Sequence, residues 1–406
     1  MSQSPGIRVR MAHLASLYHL IVLLALLGAL AATLANLAFF RELREGRPDP
    51  EAPLVSILVP ARNEARNIEA CLRSLLAQDH PYCEVIMLDD QSQDTTTQIA
   101  RGLGLSETGS VARLLHGQPL PEGWTGKGWA CHQLSQAARG EYLFFTDADT
   151  THAPGTVTAL LACAKKNRAD LVSAWPHLVT VTWSERLVLP MLMLLAMVLY
   201  PHWLTLLLQR FPAIARLVPR NVLRLCGAAN GQSIFFRRVA YDRIGGHSGV
   251  RDHLVEDVAL GRAVAAEIGD GMRLYNCTAL DFTACRMYQS FWEVWEGFTK
   301  NIRAAFEGSL AGFLFIAALQ ICCFLLPCLM LPFAGAHRSA IAKEVALIYL
   351  IRLIITVRFR TSWMSWFFHP FGHAIAMAIG LNSWRKMNAG GVTWKGRKYQ
   401  HSTGIS

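Results

Sequence analysis

The sequence predicts an α/β fold: a mostly parallel sheet flanked by helices, with apolar helices at both ends of the chain. Three observations lead there. Short apolar runs alternate with segments of helical spacing between residues 54 and 150. Three of the runs end on polar clusters, "VPARNE", "LDDQSQD" and "TDADT". Long, nearly uncharged stretches flank this region on both sides.

The alternation can be followed element by element. "LVSILVP" (54–60) is a short apolar strand closed by proline, and "EARNIEACLRSLLAQ" (64–78) carries apolar residues at helical spacing. "EVIMLDD" (84–90) reads as a buried strand that ends on acids. "TTTQIARGLG" reads as a short helix closed by glycine, with Asp94 placed to cap it. "SVARLLHG" is a third strand, "KGWACHQLSQAARG" a helix, and "YLFFTDAD" a fourth strand. Such a βαβαβαβ series builds a parallel sheet covered by helices. In these sheets ligands bind beyond the carboxyl ends of the strands, where the polar clusters fall.

Of the 406 residues, 52% are apolar, and they are unevenly spread. Leu14 to Phe40 exceeds the roughly 20 residues a helix needs to cross a bilayer. Ala29-Leu30-Ala31 looks like a signal cleavage site, but the run continues beyond a signal core of about 7 to 15 residues. A retained anchor is expected. Leu310–Ala334 and Trp363–Leu381 read as further spans, the last carrying His369, Pro370 and His373. Leu187–Leu208 is interrupted by Pro190 and Pro201, and Val345–Val357 is short and contains Arg352. Both could lie at the interface, where arginine reaches water. The expected organisation is an anchor at 1–47, a catalytic domain at 48–308 with a possible interface insert at 187–208, a transmembrane region at 309–383 and a basic tail at 384–406.

A net charge of +10 would point to nucleic acid in a soluble protein. Here the basic residues crowd beside apolar segments: Arg41, Arg44 and Arg47, then Arg358 and Arg360, then Arg385 to Lys398. An anionic membrane surface suits that pattern, and no nucleic-acid partner is expected. The positive-inside rule puts the tail with Lys395, Arg397 and Lys398 in the cytoplasm. That conflicts with three C-terminal spans after a cytoplasmic domain, unless one segment is interfacial. The ten cysteines form no CxxC pair and read as reduced small hydrophobes.

The candidate chemistry sits at the strand ends. "FFTDADT" offers Asp147 and Asp149, which on a strand would face the same way. Two close carboxylates repel, and a hard divalent cation relieves the repulsion and docks a diphosphate. Otherwise the pair is only a polar strand end. Mg2+ or Mn2+ suits such oxygen ligands better than zinc. Asp89 and Asp90 can accept hydrogen bonds from a base or ribose. "LPEGWTGKGWA" (120–130) could bring Lys127 onto a phosphate, although no Ser or Thr follows the lysine as in a Walker A loop. "HLVEDVALGRAV" (253–264) opens a helix with Glu256 and Asp257, either dipole-stabilised acids or a general base. "NGQSIFFRR" (230–238) could carry backbone close to a ligand at Gly231.

Taken as an ordered set, "VSILVPARNE", "LDDQSQD", "GWTGKGWA", "TDADT", "VEDVALG" and "WEGFTKN" resemble the membrane-bound branch of glycosyltransferase family 2 over residues 54–306. The resemblance implies a GT-A fold, a nucleotide-diphosphate sugar donor such as a UDP-sugar, and Mg2+ or Mn2+. It assigns Ala61, Glu64 and Asp89 or Asp90 to the nucleoside and Lys127 to the glycine-rich loop. It further assigns Asp149 to the metal with Asp147 beside it on the ribose side, and the Glu256-Asp257 pair to the base, with Asp257 aligned to it. The Gln-x-x-Arg-Trp motif of processive relatives is missing from "YQSFWEVW", which counts against a polysaccharide synthase. Within the family the chain looks like the carotenoid and hopene-associated glycosyltransferases. That implies an isoprenoid lipid acceptor and a bacterial plasma-membrane location with the catalytic domain cytoplasmic. Other lipid acceptors (ceramide, diacylglycerol or polyprenyl phosphate) and an inactive membrane scaffold remain as alternatives.

Overall fold

A computed structural model describes residues 5–47, 49–394 and 397–399 of the chain. The chain divides into two compact units. One comprises residues 1–37, 180–199 and 290–386; the other comprises 38–179, 200–289 and 387–406.

The second unit is built on an eight-stranded mixed sheet. Its strands are β1 (Val55–Ala61), β2 (Cys83–Asp89), β3 (Ala112–His116), β4 (Tyr142–Phe145), β5 (Thr150–His152), β6 (Leu171–Leu178), β7 (Ile234–Arg237) and β8 (Leu274–Cys285). Their order is β3-β2-β1-β4-β7-β6-β8-β5. The first four in that order are parallel, as the alternation predicts, whereas β7 runs antiparallel to both β4 and β6. Strand residues alternate between two buried layers. Ile57, Val59, Val85, Met87 and Phe144 join one core with Leu72 and Leu160. Leu58, Ile86, Leu88, Leu143 and Phe145 join the other with Leu134 and Leu260. A sheet covered on both faces has continuous apolar strands, which is why the runs at 54–60 and 84–88 lack polar alternation.

The register brings the predicted polar clusters together. Ala61 pairs with Asp89 and Leu58 with Phe145, so β1, β2 and β4 end at one edge. The chain steps outward from β1 to β2 and β3, then returns to β4 on the other side of β1. That reversal opens a crevice at the strand ends. Because Phe145 pairs with Ile234, antiparallel β7 begins where β4 ends, and Gly231 is carried to the same edge.

One expectation is corrected here. Asp147 and Asp149 do not lie on a strand: β4 stops at Phe145, and the Thr150 hydroxyl donates to the Asp147 carbonyl at 2.6 Å, closing a turn before β5. The two-residue repeat of a strand therefore does not align their carboxylates. Thr146 donates to the Gln232 carbonyl at 2.8 Å and lies 2.9 Å from His152 Nε2. Burial pushes His152 down to about 3, so it braces this turn as a neutral ring.

The first unit is helical. Among the described residues two helices are long and apolar enough to cross a membrane, His13–Phe39 and Leu310–Phe333, or three if the broken pair Trp183–Leu199 and His202–Arg210 counts as one. Leu14, Leu17, Leu20 and Leu24 on the first helix are exposed, as lipid-facing residues are. The Leu310–Phe333 helix passes through a π turn at Ile321–Leu325. Pro327 has no N–H to give the preceding turn, and His369 Nε2 donates to the Phe324 carbonyl at 2.9 Å.

Two membrane expectations change. Trp363–Leu381 is not one span: a short helix, Trp363–Phe367, is followed by a separate one, His369–Asn388. Val345–Val357 is not a short segment but part of a 21-residue helix, Arg338–Arg358. Its Arg352 is fully buried instead of reaching water, and donates to the Ser365 carbonyl at 2.9 Å and the Pro190 carbonyl at 3.4 Å. The five-residue helix Trp363–Phe367 leaves the Ser365 carbonyl among its open last four, and the guanidinium supplies a donor to it. Lys395 lies outside the described residues, as does the Lys398 side chain.

Candidate active site

The site gathers around Lys127. The glycine-rich segment is less of a loop than its composition suggests: Gly126–Ala137 is a helix, capped by the Thr125 hydroxyl, which accepts the Gly128 N–H at 3.3 Å. Lys127 thus sits in a first helical turn. Its ammonium lies 2.6 Å from Asp147 Oδ1 and 2.9 Å from Glu256 Oε1. Burial opposes the lysine charge, but Asp147, Glu256 and Asp257 outweigh it and hold the pKa well above the ordinary lysine value. The side chain is still 38% exposed, so water screens part of this attraction.

Glu256 and Asp257 open the helix Glu256–Ala266, as expected. Burial disfavours the Glu256 carboxylate, yet the Lys127 ammonium prevails and lowers its pKa. Asp257 behaves oppositely: burial, reinforced by Glu256, pushes its carboxyl up to about 6. Its Oδ2 accepts the Gly231 N–H at 2.7 Å and its Oδ1 accepts the Val258 N–H at 2.8 Å. Two neighbouring acids thereby differ in basicity, the usual preparation for acid–base work. Lys127, Asp147, Gly231, Glu256 and Asp257 line one small pocket, together with His247.

Glycines set this geometry. A Cβ on Gly261 would meet the backbone of Ala228 and Ala229 at 2.7 Å. That close approach lets the Asp257 helix lie against the segment leading to Gly231. Gly261→Ala is expected to force the backbones apart at a cost of about 1–3 kcal/mol. Thermal unfolding of the detergent-solubilised protein should show a lowered midpoint, accompanied by a loss of turnover.

The remaining predicted residues separate into two groups. Asp149 lies beside the Cys285 thiol, whose pKa burial and then the Asp149 charge drive upward. Ala61, Glu64, Asp89 and Asp90 lie at the β1 and β2 ends. The Ala61 carbonyl accepts the Asp90 N–H at 2.8 Å, and Asp89 Oδ1 accepts the Ser92 N–H at 3.2 Å. Glu64 is turned toward its own helix, where Oε2 accepts from Asn67 at 3.1 Å. Asn63 and Gln91, just after the two strands, take left-handed backbone angles, φ 52° and 59°. Asp94 caps its helix as expected, accepting the Thr96 N–H at 3.0 Å. Sequence reasoning missed His152 and His247, whose isolated positions carry no motif. It also read Arg397 only as part of a basic tail; the structure seats it on Asp90.

Comparison with known proteins agrees with this arrangement. Residues 56–224 match the glycosyl transferase family 2 model, and residues 211–406 match the glycosyl transferase family 21 model. A 4,4'-diaponeurosporenoate glycosyltransferase of Staphylococcus aureus strain USA300 is 26% identical over 366 residues, 86% of this chain and 88% of that protein. Among solved structures, a mannosyltransferase from Pyrobaculum calidifontis, in complex with GDP-mannose and Mn2+, is 20% identical. That match covers 91% of this chain and 99% of the other, with a TM-score of 0.49. Glucosyl-3-phosphoglycerate synthase from Mycobacterium tuberculosis, with Mn2+, UDP-glucose and phosphoglyceric acid, is 19% identical over 63% of this chain and 80% of its own, with a TM-score of 0.38. The class is therefore an enzyme, a glycosyltransferase built on a mixed sheet flanked by helices. More particularly, residues 56–224 are similar to glycosyltransferase family 2 domains, whose model they match.

Proposed function

We propose that the chain transfers a sugar from a nucleotide-diphosphate sugar, with inversion, to an isoprenoid lipid acceptor dissolved in the membrane. The observation that carries the reading is Asp257, a half-buried carboxylate raised to about 6 and held by two backbone N–H groups in the wall of the pocket it shares with Lys127. A base of that pKa removes a proton from an acceptor hydroxyl near neutral pH. If the acceptor is already a carboxylate, Asp257 orients it instead. Lys127, beside it, offsets negative charge as the diphosphate leaves.

The acceptor class draws its support from the staphylococcal relative, whose name specifies 4,4'-diaponeurosporenoate. The two apolar helices that can cross a membrane supply the setting in which such a lipid is soluble. A bacterial plasma membrane, with the catalytic unit on the cytoplasmic side, draws its support from the bacterial source of that relative and from the basic residues around Arg41. The contact of Arg397 with Asp90 supports a C-terminal tail on the same side as the sheet.

A divalent cation belongs to this reading. The acids at the β4–β5 turn offer oxygen donors, and burial drives the flanking Cys71 and Cys285 thiols up and keeps them protonated. No group of three or more His, Cys, Asp or Glu side chains is gathered for a metal among the described residues. That donor set fits Mg2+ or Mn2+, which take one or two carboxylates and complete their shell with phosphate and water. Asp149 would hold the ion, with Asp147 beside it. Once bound, the ion supplies a docking point for the diphosphate and offsets its charge. Lys127, seated on Asp147, marks where positive charge is favoured.

Membranes containing the full chain, incubated with UDP-sugars or GDP-sugars and a bacterial lipid extract, should yield a lipid heavier by one hexose. Sugar-nucleotide hydrolysis without any lipid product, or transfer only to water-soluble acceptors, would overturn the acceptor assignment.

A further inference from the structure

Arg397 lies on a small C-terminal hairpin formed by β9 (Val392–Trp394) and β10 (Arg397–Tyr399), 307 residues from the acid it contacts. Its guanidinium grips the Asp90 carboxylate with both terminal nitrogens. Nη1 donates to Oδ2, and Nη2 donates to Oδ1 at 2.8 Å. The pair is withdrawn from water, the Asp90 side chain being 6% exposed and that of Arg397 14%. Space for the guanidinium comes from Gly126, where any Cβ would collide with it. Asp90 is also fixed through its backbone: its N–H donates to the Ala61 carbonyl at 2.8 Å, and its carbonyl accepts from Arg62 at 2.5 Å.

This is more than a surface ion pair. Burial pushes the Asp90 carboxyl toward the neutral form, and Arg397, Arg62 and Asp89 are the charged groups around it. Arg397 is the one that bonds the carboxylate itself, keeping it ionised and fixed in orientation. A fork of two parallel bonds restrains a carboxylate in a way that a single lysine does not. Such restraint is functional where Asp90 must present a fixed acceptor to a ligand.

We propose that Arg397 is a positioning residue for the sugar donor: acting through Asp90, it sets the affinity for the nucleoside diphosphate, so the donor subsite is completed by the C-terminal tail. The inference rests on the donor reading given above. Three of the five guanidinium N–H groups remain after the fork is made, and they suit the acceptor oxygens of a base or phosphate.

The test uses the full chain in detergent, with UDP and GDP as binding probes and the nucleotide sugar for turnover. Arg397→Ala should raise the Kd for the preferred nucleotide and the donor KM by about ten- to a hundredfold, the range expected for a hydrogen bond to a charged group. The kcat and the acceptor KM should change by less than about threefold. Arg397→Lys, or millimolar methylguanidinium added to Arg397→Ala, should restore part of the affinity. Asp90→Asn should raise the donor KM similarly and add little when combined with Arg397→Ala. Unchanged nucleotide affinity in Arg397→Ala, or a fall in kcat at constant KM, would overturn the inference while leaving the donor reading intact. A wild-type chain that binds and uses no sugar nucleotide would overturn both.

Discussion

Asp257→Asn is expected to leave the nucleotide sugar bound and to lower turnover by about a hundred- to ten-thousandfold, the span of general-base contributions. The substitution preserves volume and an oxygen to accept the Gly231 N–H, now at 2.7 Å, so the helix should stay in place. What it removes is basicity. The wild-type enzyme should carry an acidic limb set by a carboxyl raised to about 6. Activity requires the deprotonated form, so the rate should fall about tenfold per pH unit below that value and level off above it. The limb should vanish from the residual activity of Asp257→Asn. Full turnover in the variant, or a limb near the ordinary aspartate value in the wild type, would remove Asp257 from the role of base. A carboxylate acceptor, which needs no base, would weaken both the limb and the mutational loss while preserving an effect on the acceptor KM.

Asp149→Ala should abolish transfer, by more than about a hundredfold, while the protein still inserts in the membrane. Metal chelation should reproduce the loss in the wild type and add little to the variant. Radiolabelled sugar transfer, with and without chelator, measures both. Transfer at the wild-type rate in Asp149→Ala, with the true substrates, would refute the metal assignment. The structure makes Asp149 the sharper test of the two turn acids. Asp147 is already engaged by Lys127 at 2.6 Å, so changing it also releases the lysine and Glu256. A loss in Asp147→Ala would therefore not isolate a metal ligand.

Much of the fold could be read from local pattern. The runs at 54–60, 84–90 and 110–117 became β1, β2 and β3, and the helices between them fell where their spacing put them. Strands and helices of a doubly covered sheet declare themselves through continuous apolar runs and 3.6-residue spacing. The antiparallel β7 carries no such mark, because the direction of a strand depends on where its chain enters the sheet. The membrane region was legible only as hydropathy. Trp363–Leu381 has the length of a span, but the chain breaks at Phe368, and Arg352 turns inward to satisfy helix-end carbonyls. Those breaks depend on which carbonyls find donors, a matter of packing.

The sequence by itself determined the class of fold, the acids at the strand ends, the Glu256-Asp257 pair and the apolar flanks. These are local features, written in residue type and spacing. Tertiary structure decided how the acids divide. It set Lys127 between Asp147 and Glu256, turned Asp149 toward Cys285, and raised Asp257 by burial beside a second acid. It also carried Arg397 from the far end of the chain onto Asp90. Charge placement and desolvation arise from groups distant in sequence, and only folding brings them within the few ångströms over which they act.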